Sequence, residues 1–157
     1  MSLEKAKQHL TKYNLQDKII ILEESSATVE LAANALHVEQ ARITKTLAFV
    51  IDSGPILVLI AGDVKIDNAK YRQQFSLKAK MVSFDDCEKL IGHPAGGICP
   101  FGINDNINVY LDVSLKRFTS VFPACGTGNS AIELTITQLE QCSQYKQWID
   151  VTKLKGE

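Results

Sequence analysis

The stretch Thr46-Leu47-Ala48-Phe49-Val50-Ile51-Asp52-Ser53-Gly54-Pro55-Ile56-Leu57-Val58-Leu59-Ile60-Ala61 decides the fold class. Two apolar runs rich in β-branched and aromatic residues flank a short Asp-Ser-Gly-Pro connection, which is the signal of a β-hairpin. The connection is too short for a parallel crossover, so the two strands must run antiparallel. Other strand candidates surround this hairpin. Ile19–Leu22 is a short apolar run, and Ile107–Asp112, Thr119–Ala124, Ala131–Thr135 and Trp148–Val151 follow later in the chain.

Helical patterns interleave with these runs. Leu3, Ala6, Leu10 and Tyr13 recur at helical spacing over about residues 2–13. Ser25-Ser26 offers N-caps for a helix carrying Val29, Leu31, Ala32, Ala35 and Leu36. Asp67–Phe75, a capped segment from Ser83 to Gly92, and Thr137–Tyr145 complete the set. The expectation is an α+β fold: a single domain over residues 1–157 with a mixed, mainly antiparallel sheet flanked by helices.

The chain has 157 residues, 45% of them apolar and 22% charged, which is ordinary for one soluble domain. No apolar run approaches the roughly 20 residues of a membrane span, and the charged start lacks a signal-peptide core. Cytoplasm, no membrane partner and a monomer are the defaults. A formal net charge of −1 excludes a wholly basic nucleic-acid face. It leaves room for a local patch, and Lys65, Lys70, Arg72, Lys78 and Lys80 cluster against Asp67 alone. That patch reads either as a solvated helix face or as a small phosphate-contacting rim. The four cysteines (Cys87, Cys99, Cys125, Cys142) show no CxxC pair and are expected to be reduced.

Three segments could carry chemistry. Gly92-His93-Pro94-Ala95-Gly96-Gly97-Ile98-Cys99-Pro100-Phe101-Gly102 concentrates four glycines and two prolines. Such a loop forms a stiff backbone wall whose N–H groups can bind an anion or polarise a carbonyl. Ala124-Cys125-Gly126-Thr127-Gly128-Asn129-Ser130-Ala131 reads as a glycine-containing hairpin or as a polar cradle for a ribose or an adenine edge. It is neither a Walker loop nor a dinucleotide fingerprint, since no Gly-Lys-Ser/Thr follows and the next element is a strand. In Ile43-Thr44-Lys45-Thr46-Leu47 the lysine either reaches solvent or points into a pocket mouth to meet a phosphate.

Two other constellations are weaker. His93, Cys99 and Cys125 could converge as a thiol hydrolase, but no cysteine sits at an evident elbow or in a family-like signature. A zinc site from Cys87, His93, Cys99 and Cys125 matches no compact ligand spacing. His9 and His37 read as surface residues, and His93 as a loop hydrogen-bonder. No metal or cofactor is called for.

Taken together, Ile43–Leu47, the GxxxP run Gly96-Gly97-Ile98-Cys99-Pro100 and Gly126–Ser130 resemble the YbaK/prolyl-tRNA-synthetase-associated editing domains, the free-standing aminoacyl-tRNA deacylases. The likeness spans about residues 18–152. It implies hydrolysis of the ester joining a small amino acid such as Ala, Cys or Ser to the CCA end of a mischarged tRNA, tRNA-Pro among the candidates. It also implies that Lys45 holds the terminal phosphate–ribose and that Gly96, Gly97, Ile98, Cys99 and Pro100 orient the ester and the water. Thr46, His93, Phe101, Cys125, Gly126, Thr127, Gly128, Asn129 and Ser130 would contact substrate. Catalysis in this family looks substrate-assisted through the adenosine 2′-hydroxyl. An aminoacyl-tRNA synthetase is a second partner to consider, and a non-catalytic module binding tRNA ends or a synthetase is the alternative. Some branches carry a histidine in the late hairpin that helps choose the amino acid. Here Phe122-Pro123-Ala124-Cys125-Gly126 contains none, so the likeness leaves substrate choice open.

Overall fold

A computed structural model describes residues 2–156. Helix α1 (Ser2–Thr11) buries Ala6 and Leu10, followed by strand β1 (Ile20–Ile21). Helix α2 (Val29–Leu36) comes next. Its cap is Thr28, whose hydroxyl accepts from the Leu31 N–H, and not Ser25 or Ser26. Those two serines instead face the Gly128 carbonyl.

The hairpin forms as its sequence requires. Strands β2 (Thr44–Ile51) and β3 (Gly54–Ala61) pair antiparallel from Thr44 opposite Ala61 to Ile51 opposite Gly54. Gly54 takes φ +122°, a conformation open to glycine, where the chain leaves the turn. Beyond β3 lie β5 (Asn108–Asp112) and β9 (Gln147–Ile149), both parallel, giving the order β2-β3-β5-β9. A strand flanked on both edges and covered on both faces reads as unbroken apolar sequence. Ile56 to Ala61 is therefore almost wholly inaccessible.

Three short antiparallel pairs complete the mixed sheet structure: β1 with β7 (Ser130–Ala131), β4 (Val64–Ile66) with β10 (Thr152–Leu154), and β6 (Ser120–Val121) with β8 (Leu134–Thr135). The expected strand Thr119–Ala124 thus shortens to two residues. Phe122 leaves the ladder to bridge Ile43, with its N–H on the Arg42 carbonyl, and Pro123 has no N–H to continue it. The expected strand Trp148–Val151 breaks as well. Buried Asp112 accepts from the Val151 N–H (2.9 Å) and the Thr152 hydroxyl (2.7 Å), drawing the chain away from β9 and into β10.

Asp67 caps α3 (Asn68–Phe75) through the Ala69 and Lys70 amides. Tyr71 of α3 packs between Phe49 and Phe75, with ring centroids 5.0 and 4.7 Å away. The segment expected from Ser83 to Gly92 is only a 3-10 turn and a short α4 (Cys87–Leu90), and the Ser83 side chain makes no capping bond. Helix α5 (Ile136–Ser143) opens on a capping box of Thr135 and Gln138.

Candidate active site

Lys45 lies on β2 opposite Ile60, and its Nζ donates to the Val64 carbonyl of β4 at 3.2 Å. It forms one wall of an open cleft of about 580 Å³. Burial lowers its pKa, the charge of Lys155 lowers it further, and Asp63 acts in the opposite direction. Lys155 itself lines the cleft. Thr44 and Thr46 flank Lys45, and each hydroxyl is buried with no partner among the described residues. Buried polar atoms without partners are costly unless water or a ligand meets them.

Ala95, Gly96 and Ile98 form another part of the cleft wall. The Pro94 ring fixes the entry to a 3-10 turn over Ala95–Gly97, closed by the Gly97 N–H on the Pro94 carbonyl at 2.9 Å. The Gly97 amide is therefore taken inside the turn. Among the described residues, no protein acceptor meets the Gly96 or Ile98 N–H. Both residues belong to the cleft wall.

The late segment supports this wall more than it lines it. Ser130 lines the cleft, together with Ala124 and Ala131. Its buried Oγ accepts from the Cys125 N–H (3.2 Å), the Thr127 N–H (3.4 Å) and the Thr127 hydroxyl (2.8 Å). Asn129 is tied to Leu22 by its carbonyl and its side-chain amide, and Gly128 to Ser26. Cys125, Gly126, Thr127, Gly128 and Asn129 thus lie behind or beside the cleft wall. Gly97 abuts Gly126 directly, which locks the two glycine segments together.

His93, Cys99 and Phe101 are inside the protein. His93 Nε2 lies 2.6 Å from the Phe101 carbonyl and 3.5 Å from Cys99 Sγ. A Cys–His pair does exist, but burial lowers the His93 pKa and pushes the Cys99 thiol up to about 12. With Nε2–H committed to Phe101, this nitrogen cannot take the thiol proton. Burial raises the Cys125 thiol too, and Cys142 to about 12. The thiol-hydrolase reading therefore fails, since a nucleophile needs an accessible thiolate. Among the described residues no three His, Cys, Asp or Glu side chains gather as a metal-binding group, so the four proposed zinc ligands do not converge. His9 is half-buried and not simply a surface residue, with Nε2 on the Cys142 carbonyl. Pro100 borders a different cleft, about 410 Å³, between α1 and the loop 102–107.

Sequence reasoning missed Thr44, Lys155 and the α2 entry Ser26–Glu30 as parts of the cleft. The Ser-Ser-Ala-Thr run could have pointed to the last of these. Lys155 carried no local signal, because only the β4–β10 pairing brings it round.

The model of the aminoacyl-tRNA editing domain matches residues 23–142. YwhH of Bacillus subtilis, an uncharacterized protein, is 49% identical over 98% of both chains. EbsC of Enterococcus faecalis, provisionally named a Cys-tRNA(Pro)/Cys-tRNA(Cys) deacylase, is 28% identical over 71% of this chain and 69% of its own. A crystal structure described provisionally as a trans-editing enzyme for prolyl tRNA synthetase superposes with a TM-score of 0.87. It shares 25% identity over 97% of each chain.

Proposed function

The chain belongs to the aminoacyl-tRNA editing domain family, and from that premise we propose that it hydrolyses the ester of mischarged tRNA, with tRNA-Pro bearing Ala, Cys or Ser as the substrates to test. The observation that carries this reading is the cleft itself, lined by Lys45, Gly96 and Ile98, where the Gly96 and Ile98 N–H groups have no acceptor among the described residues. Lys45 suits the phosphate of the terminal adenosine as a point charge. The two amides suit the ester carbonyl, where they stabilise the oxyanion as it develops. Val29, Ala32, Ile43 and Phe122 provide an apolar end for a small side chain.

The step is ester hydrolysis. Water adds to the carbonyl carbon, the bond from that carbon to the ribose 3′-oxygen breaks, and the proton given up by water ends on the 3′-oxygen. The adenosine 2′-hydroxyl relays that proton, so no protein nucleophile is required. This agrees with the disarmed state of Cys99 and Cys125. An activated ester held in register needs little more than positioning and oxyanion stabilisation.

The test is release of amino acid from tRNA-Pro charged separately with Ala, Cys, Ser and Pro. The expected result is release of at least one small amino acid faster than in buffer, with tRNA-Pro bearing proline spared. Tight tRNA binding with no release above buffer would instead establish the non-catalytic binding module. A proline synthetase added in trans then shows whether it contributes to tRNA choice.

A further inference from the structure

Lys65 and Lys153 stand directly opposite one another across the β4–β10 ribbon. Like charges in that position weaken an antiparallel pair. The ladder continues one step further, with the Lys155 N–H on the Asp63 carbonyl at 3.1 Å. Side chains alternate along a strand, which places Lys155 on the same outer face as Lys153, about 6.6 Å along. The opposite face is anchored in the protein by buried Val64 and Thr152.

The carboxylates nearest this face have closer partners, although Lys155 and Lys153 still act on Asp63 and Asp67 through space. Asp63 is held by Arg117 through two bonds of 2.6 and 2.9 Å. Asp67 caps α3. Among the described residues Lys65, Lys153 and Lys155 form no ion pair. The row of ammonium groups also leads somewhere: Lys155 is in the cleft wall with Lys45, and Lys45 is bonded to β4 through Val64. The edge lies partly beyond the family match, which ends at residue 142.

We propose that the outer face of the β4–β10 ribbon is a phosphate track for the single-stranded 3′ end of RNA, entered at Lys155 and continued by Lys153 and Lys65. The choice of RNA rests on the deacylase reading, while the track rests on charge and register. The two-residue step from Lys155 to Lys153 suits the phosphate spacing of an extended strand, and Lys65, across the ribbon from Lys153, is placed to meet a further phosphate. Such phosphate binding carries no base information, so it adds affinity irrespective of sequence.

The test uses the full chain and an uncharged acceptor-stem RNA ending in CCA, with affinity measured across a KCl series. For Lys65→Gln/Lys153→Gln the slope of log affinity against log salt should fall by about 1.4, since each single-strand phosphate deprived of its lysine accounts for about 0.7. The loss of affinity should be similar for acceptor stems of different sequence, and on charged tRNA KM should rise while kcat holds. The double variant removes a repulsion, so its melting temperature should not fall. An unchanged slope and affinity would overturn the track, as would a wild-type protein that binds no RNA. Ribbon-dependent binding without turnover would sink the deacylase reading and leave the track standing. Turnover with ribbon-independent binding would sink the track alone.

Discussion

Gly97 and Thr127 are packed backbone to backbone: a Cβ added to Gly97 would stand 2.4 Å from the Thr127 nitrogen. No L side chain fits there unless one of the two loops moves. Gly97→Ala should therefore lower stability by about 1–3 kcal/mol, the usual range for overpacking. It should also lower deacylation by displacing the neighbouring amides of Gly96 and Ile98. Gly96→Ala is the control for stability, because its Cβ would meet Ala27 Cβ at an ordinary 3.7 Å. Urea melts of the two variants should separate clearly, and equal midpoints would refute the packing argument.

Lys45 should reveal itself by pH. Burial and Lys155 both disfavour its charged form, so its folded pKa lies below the ordinary lysine value. The sign follows from this. Below the folded pKa the buried charge costs stability, and that cost disappears as pH rises and the proton leaves. Lys45→Met should accordingly melt no lower than wild type at neutral pH. Removing a charge-assisted bond worth about 1.5–3 kcal/mol should weaken CCA-RNA binding by about 10- to 100-fold. In wild type, that binding should decline with rising pH earlier than an ordinary lysine would allow. Lys155→Gln should shift the decline to higher pH, and a midpoint that does not move would count against the coupling.

What the sequence made legible follows from the range of the interactions involved. The hairpin was visible from Thr46 to Ala61 because two apolar runs flank a short turn signal, Asp52–Pro55, and the structure pairs them. The glycine wall was visible because its residues are consecutive. The roles inside the second glycine segment were not, since Thr127 and Ser130 look like ligand hydroxyls until their bonds to each other are known. His93 and Cys99 look like a catalytic pair until burial is known. Lys155 depends on a pairing between β10 and β4, and no local pattern announces a contact across so much chain.

The cysteines give the cleanest separation between ester hydrolysis by positioning and hydrolysis by a thiol. Cys99, Cys125 and Cys142 are inaccessible, and burial raises all three thiols. The native protein should resist iodoacetamide at pH 8 and keep its activity after the treatment, whereas unfolding in urea should make all four cysteines reactive. Cys99→Ala should retain most of the turnover while losing about 1 kcal/mol of stability, the common cost of a core substitution. Abolished turnover in a folded Cys99→Ala protein would return the thiol reading to contention.

Asp112 should matter to the cleft without touching it. Its buried carboxylate accepts from the Ser114 and Val151 amides, both at 2.9 Å, and from the Thr152 hydroxyl at 2.7 Å. These bonds fix the point where the chain turns from β9 into β10, and β10 carries Lys153 and delivers Lys155. Asp112→Asn removes the charge and points an NH₂ group at one of the donors. Hydrogen bonds to a charged group are worth about 1.5–3 kcal/mol each, so a loss of at least that size is expected. The damage should be local first: amides of residues 151–155 should exchange faster, while those of the β2–β3 hairpin stay protected at the same denaturant concentration. RNA affinity should fall with the loosened strand. Uniform loss of protection across both regions would mean that Asp112 supports the whole core and has no specific hold on β10.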